Sequence, residues 1–125
     1  MLRLYKQTIR MILLETQEQF EQLWFLQPQQ QPIVGMRPTD RAWIVWFSAA
    51  WCNPCKRLDA TRIEAAAAAK GIPIWKCDDT INNYTGGYCG VRAIPTFIFM
   101  RPKQIQTQIT NSDTDTVIQW IQSLP

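Results

Sequence analysis

Cys52 and Cys55 stand three positions apart in the segment Trp51-Cys52-Asn53-Pro54-Cys55-Lys56, directly after the apolar run at 42–48. Two thiols at that spacing can clip a metal, staple the chain or act as an exchange couple. The chain carries four cysteines and no histidine, which removes triads with a histidine base, HExxH zinc sites and mixed Cys/His zinc fingers. The exchange reading has a specific physical basis. Cys52 opens a helix, where unpaired backbone N–H groups and the positive end of the helix dipole favour a thiolate, and helix N-termini and C-x-x-C motifs lower thiol pKa values to roughly 3.5–7.5. Cys55, one turn on, points back to the same spot and is expected to be the more enclosed. A mixed disulfide on Cys52 can then be attacked by Cys55, releasing a reduced substrate and leaving the pair oxidised. Cys77 and Cys89 leave three readings open: separate free thiols, a second disulfide, or zinc held with the C-x-x-C pair. Zinc is disfavoured because no second close cysteine pair exists, and separate thiols are favoured because buried cysteine behaves as a small hydrophobe.

The elements that must position these thiols follow from periodicity. Residues 8–14 read as a strand, and Thr16 with Gln19 forms a capping box for a helix through "QEQFEQLWFL". The Gln/Pro-rich stretch at 27–41 is a loop, because too little chain precedes it to make a separate core. Residues 42–48 are apolar almost without a break, as in a central strand covered on both faces. Pro54 suits a first helical turn, "EAAAAAK" has strong helix propensity, and Gly71 is the stop. Then come a strand "IPIWKC", a weak Gly-broken helix or loop "TINNYTGGY", and a strand "TFIFM". In "QIQTQIT" the alternation puts Ile105, Thr107 and Ile109 on one face of a last strand. Val117, Trp120, Ile121 and Leu124 form one stripe on a C-terminal helix. The order is βαβαβαββα, an α/β sheet with helices on both faces, in one domain spanning 1–125.

The formal net charge of +3 is mild and scattered, so no nucleic-acid partner is indicated. Arg3, Lys6 and Arg10 precede the first acid, Glu15, as in organelle leaders, but "TIRMILL" reads as the first strand and a short exposed lead-in is favoured over organelle targeting; the lack of an uninterrupted apolar core and a small-residue cleavage site weighs against a secretory signal. No apolar window approaches the roughly 20 residues of a membrane-spanning helix, so no membrane partner is expected and the expected location is the cytoplasm.

With those elements in place, "VWFSAAWCNPCK" resembles the active-site segment of thioredoxins, and "GVRAIPTF" resembles their second hallmark, an Ile-Pro-Thr turn. The resemblance spans roughly residues 8–124 and implies the thioredoxin fold, with a mixed five-stranded sheet. It implies a protein disulfide reductase whose redox centre is the Cys52–Cys55 couple, with no further cofactor and no metal, recharged by a thioredoxin reductase or another thiol reductant and acting as a monomer. By resemblance Cys52 attacks, Cys55 resolves, Trp51 flanks, Pro95 is cis, and the backbone around Ile94 pairs with an extended substrate. A thioredoxin-fold scaffold with little redox turnover is the alternative, and retention of both cysteines weighs against it. Several positions depart from the family. Asn53 replaces the usual glycine beside Pro54 and tunes the couple. Trp46 stands where a buried aspartate is usual, so Lys76, its customary companion, has lost its partner. Ala60 stands in place of a helix-kinking proline, so the long helix is expected to run straighter. The segment "ITNSD" lacks a glycine common beside the substrate groove. Asp59 lies on one face of an ideal helix with both cysteines; a proton-relay role there is weighed against, and ranked below, an exposed aspartate paired with Arg62 or Lys56.

Overall fold

The computed structural model describes residues 11–25 and 42–125, so the loop expected at 27–41 and residues 8–10 of the expected first strand lie outside the described residues. The order within them is β1 (Ile12–Leu13), α1 (Gln17–Trp24), β2 (Trp43–Ser48), α2 (Asn53–Lys56), α3 (Ala60–Ala69), β3 (Ile74–Asp78), α4 (Asn83–Tyr88), β4 (Thr96–Arg101), β5 (Gln104–Thr110) and α5 (Thr114–Gln122). The five strands form one mixed sheet in the order β1-β3-β2-β4-β5, with β1, β3 and β2 parallel and β4 and β5 antiparallel.

Strand β2 is buried at every position because each face of the sheet carries its own apolar layer. Ile44 and Trp46 pack with Ile63 of α3 and with Val117 and Ile121 of α5. Trp43, Val45 and Phe47 pack on the opposite face with Phe20 and Leu23 of α1. An uninterrupted apolar run is therefore what this strand needs in order to lose water on both sides.

Local signals set several element ends. Thr16 and Gln19 make the expected capping box: the Gln19 N–H donates to Thr16 Oγ1 at 3.2 Å, and the Thr16 N–H donates to Gln19 Oε1 at 3.1 Å. Gly71 takes φ +70°, while its N–H donates to the Ala68 carbonyl and the Ile72 N–H to the Ala67 carbonyl, each at 2.9 Å. That is the Schellman pattern, and the left-handed residue it requires is why glycine stands there.

Two expectations are corrected. The helix after Cys52 does not run straight through to Gly71; it breaks between Lys56 and Ala60. Asp59 causes the break without any proline, since its side chain accepts from the Arg62 N–H at 3.2 Å as an N-cap, and its own N–H donates to Thr114 Oγ1 at 3.0 Å. The second correction is in β5, where Phe99 pairs with Thr107 but Met100 pairs with Ile105, leaving Gln106 as an extra residue. That bulge sets Ile105 opposite Met100, which belongs to the other apolar layer, so Ile105 does not share the face of Thr107 and Ile109.

Candidate active site

Cys52 and Cys55 are disulfide-bonded across a Cα–Cα distance of 5.3 Å, at the point where β2 hands over to α2. Cys52 is the N-cap residue of α2, and its Sγ accepts the Cys55 backbone N–H at 3.2 Å. In the reduced protein the same geometry directs an otherwise unpaired N–H at the sulfur, which favours its ionised form. The helix behind it is only four residues long, so this local hydrogen bond replaces much of the dipole effect expected from a long helix.

The expected contrast in exposure is absent: Cys52 is 3% exposed and Cys55 5%. What distinguishes the two sulfurs is their surroundings. Cys52 Sγ lies 3.9 Å from the Ile94 carbonyl oxygen, beside a cis Ile94–Pro95 bond. Trp51, 64% exposed, stands next to it and borders a groove of about 290 Å³ with Phe47, Arg92, Ala93 and Ile94. Cys55 instead lines a second, open cavity of about 230 Å³, shared with Trp46, Ser48, Lys76 and Asp78. One sulfur of the pair thus borders the outer turn, and the other the space beneath the motif.

The remaining singled-out residues fall into place around this pair. Asn53 and Pro54 are exposed in the first turn of α2, and among the described residues the Asn53 side chain makes no hydrogen bond to either sulfur. Trp46 is 2% exposed, stacks on Phe97 at 5.1 Å between ring centroids, and has a buried Nε1 without a partner among the described residues. Lys76 has a substitute for its missing carboxylate: its Nζ lies 4.8 Å over the Trp46 ring. Asp59 is drawn off as the cap of α3 and does not line the cavity under Cys55, which tells against its proton-relay role. Its hydrogen bond to Arg62 is made through the backbone N–H, while that guanidinium bonds Asp115 at 2.7 Å. Asp78 was not singled out by the sequence. Its signal there is its place two residues after Lys76, hence on the same face of β3.

Cys77 and Cys89 are free thiols. Burial, then the charges of Asp79 and Asp78, push the Cys77 thiol up to about 12, and its Sγ–H donates to the Asn82 carbonyl at 3.5 Å. Burial, then Cys77, likewise raises Cys89 to about 12. Both are therefore poor nucleophiles near neutral pH. No group of three or more His, Cys, Asp or Glu is placed to hold a metal among the described residues, and no helix there is long and apolar enough to cross a membrane.

Residues 31–123 match the family model described as thioredoxin. A thioredoxin of Rickettsia conorii is 31% identical over 80 residues, covering 62% of this chain and 76% of that protein. A thioredoxin of Geodia cydonium is 31% identical over 62 residues, covering 50% of this chain, and the match spans only 58% of that protein's length. Among solved structures, a thioredoxin from Schistosoma mansoni superimposes with a TM-score of 0.72 at 20% identity, covering 94% of this chain and 98% of that one.

Proposed function

We propose that this chain, which belongs to the thioredoxin family, is a thiol–disulfide oxidoreductase that reduces disulfides in other proteins through Cys52 and Cys55. The observation that carries the reading is the paired cysteines at the end of β2, with a backbone N–H aimed at Cys52 Sγ and the Ile94–Pro95 turn beside it. In the first step the Cys52 thiolate attacks one sulfur of a substrate disulfide; a Cys52–substrate bond forms and the other substrate sulfur leaves as a thiolate. In the second, Cys55 attacks Cys52 Sγ, the intramolecular disulfide forms, and the second substrate sulfur leaves reduced. The substrate lies extended along the Ile94–Pro95 turn, with Trp51 packed on it. Two electrons have passed to the substrate, so an external reductase or thiol pool must return them before the next cycle. A reducing compartment such as the cytosol suits that recharging. Asn53, Pro54 and Lys76 tune the couple rather than take part in either step.

Dithiothreitol-dependent insulin reduction tests the reading. Wild type is expected to turn insulin turbid well ahead of the dithiothreitol blank, and Cys52→Ser to match the blank. Equal rates for wild type and Cys52→Ser would leave a scaffold role instead.

A further inference from the structure

Resolution of the mixed disulfide asks something of Cys55 that the motif itself does not provide. Cys55 is buried, and as a thiol it is a weak nucleophile until its proton goes elsewhere. Trp46, the central-strand side chain beneath it, has no proton-accepting group. Asp59 is committed to capping α3. The carboxylate that does share the space under Cys55 is Asp78. It ends β3, paired in register with Ser48 of β2, while Lys76 pairs with Trp46 two residues earlier.

We propose that Asp78 is the proton acceptor for Cys55 during resolution, working across the cavity that the two residues line together. This rests on the reductase reading above. The Thr80 N–H donates to Asp78 Oδ1 at 2.8 Å and holds the carboxylate in place. The shared cavity, about 230 Å³, far exceeds the roughly 10–15 Å³ that one water needs, so a water bridge between thiol and carboxylate fits within it. Trp46 contributes to the wall. The charged and titratable groups facing Asp78 come from every neighbouring element. Cys55 and Lys56 of α2 and Lys76 of β3 line the same cavity. Glu15, after β1, lines an adjoining one with Asp78, and Cys77 lies close enough to feel its charge. The two lysines keep the carboxylate from standing alone against Glu15.

The Cys55 S–H proton passes through water to the Asp78 carboxylate. The Cys55 sulfur attacks Cys52 Sγ, the Cys52–Cys55 bond forms as the Cys52–substrate bond breaks, and its electron pair leaves on the substrate sulfur, which is then protonated by solvent. Asp78 returns its proton to solvent once the thiol product has left.

Stoichiometric 5,5′-dithiobis(2-nitrobenzoate) separates the two steps, because each releases one thionitrobenzoate. The first release follows Cys52 attack, and the second follows Cys55 resolution. Stopped-flow absorbance from pH 6 to 9 is compared for wild type, Asp78→Asn and Asp59→Asn. Asparagine keeps the oxygen that accepts from Thr80, so Asp78→Asn removes the base while retaining the turn. Its first release is expected to match wild type; its second is expected to be slower by about 10²-fold at pH 7 and to climb about tenfold per pH unit. Wild type and Asp59→Asn are expected to share one fast, nearly flat profile. An Asp78→Asn second release that matches wild type, or that is slowed by one constant factor with an unchanged pH profile, overturns the proton-acceptor role alone. A wild type with no rapid first release overturns the reductase reading, and this inference with it.

Discussion

The reduced protein offers four thiols to an alkylating reagent, and the structure ranks them steeply. With pKa values of about 12, Cys77 and Cys89 are thiolate in about one molecule in 10⁵ at pH 7. Cys52, receiving the Cys55 N–H, belongs with the helix-start and C-x-x-C thiols, and even at the upper end of their range, about 7.5, roughly a quarter of it is ionised. The populations differ by about 10⁴. A more basic thiolate is intrinsically the better nucleophile, and over a gap of about 4.5 pKa units with a Brønsted slope near 0.45 it recovers about 10² of that. The net expectation is that Cys52 reacts about 10²-fold faster than Cys77 or Cys89. The assay is a short iodoacetamide pulse on the reduced native protein at pH 7, followed by denaturation, labelling of the remaining thiols with an isotopically heavy reagent, and mass spectrometry of the cysteine peptides. Labelling of Cys77 or Cys89 within tenfold of Cys52 would refute the claim that burial holds their protons. Labelling of Cys55 ahead of Cys52 would reverse the roles assigned to the pair.

Three further outcomes follow from the same contacts. Because the folded state holds the Cys77 and Cys89 protons to about pH 12 while the unfolded chain loses them near 8.5, the unfolded state binds fewer protons between those values and stability falls as pH rises. The slope approaches about 1.4 kcal/mol per pH unit for each thiol once the unfolded chain has lost that proton; urea midpoints at pH 8 and 10 measure it, and Cys77→Ser should flatten the loss. Asp59→Ala removes the acceptor for the Arg62 N–H and should cost about 1 kcal/mol, lowering the melting temperature by roughly 3–6 °C, whereas Asp59→Asn should leave it unchanged. Trp46→Ala should cost about 3–5 kcal/mol, a fall of about 2 M in the urea midpoint, while Trp46→Phe retains the stack on Phe97 and removes a buried N–H without a partner, so it should cost less than half as much. If Trp46→Phe proves as damaging as Trp46→Ala, ring stacking is not what holds that position.

Features decided within a few residues were legible before any coordinates. The capping box at Thr16, the stop at Gly71 and the doubly buried run of β2 depend on local hydrogen bonds, on one backbone dihedral and on side-chain period, and the structure has all three where they were expected. The strand and helix order, and with it the thioredoxin fold, followed from those signals together with the two motifs. What depended on distant partners was not legible. The helix after Cys52 breaks at Asp59 partly because Thr114, 55 residues away, accepts its N–H. Gln106 bulges because β5 must follow the register of β4, and Lys76 finds the ring of Trp46 because β2 and β3 pair in parallel at that step. The same register sets Asp78 level with Ser48, on the wall of the cavity under Cys55. The one local hint is that Asp78 lies two residues after Lys76, on the same face of β3. The neighbourhood itself exists only once two parallel strands and the turn between β2 and α2 are in place, since strand pairing, and not sequence distance, decides which side chains share a cavity.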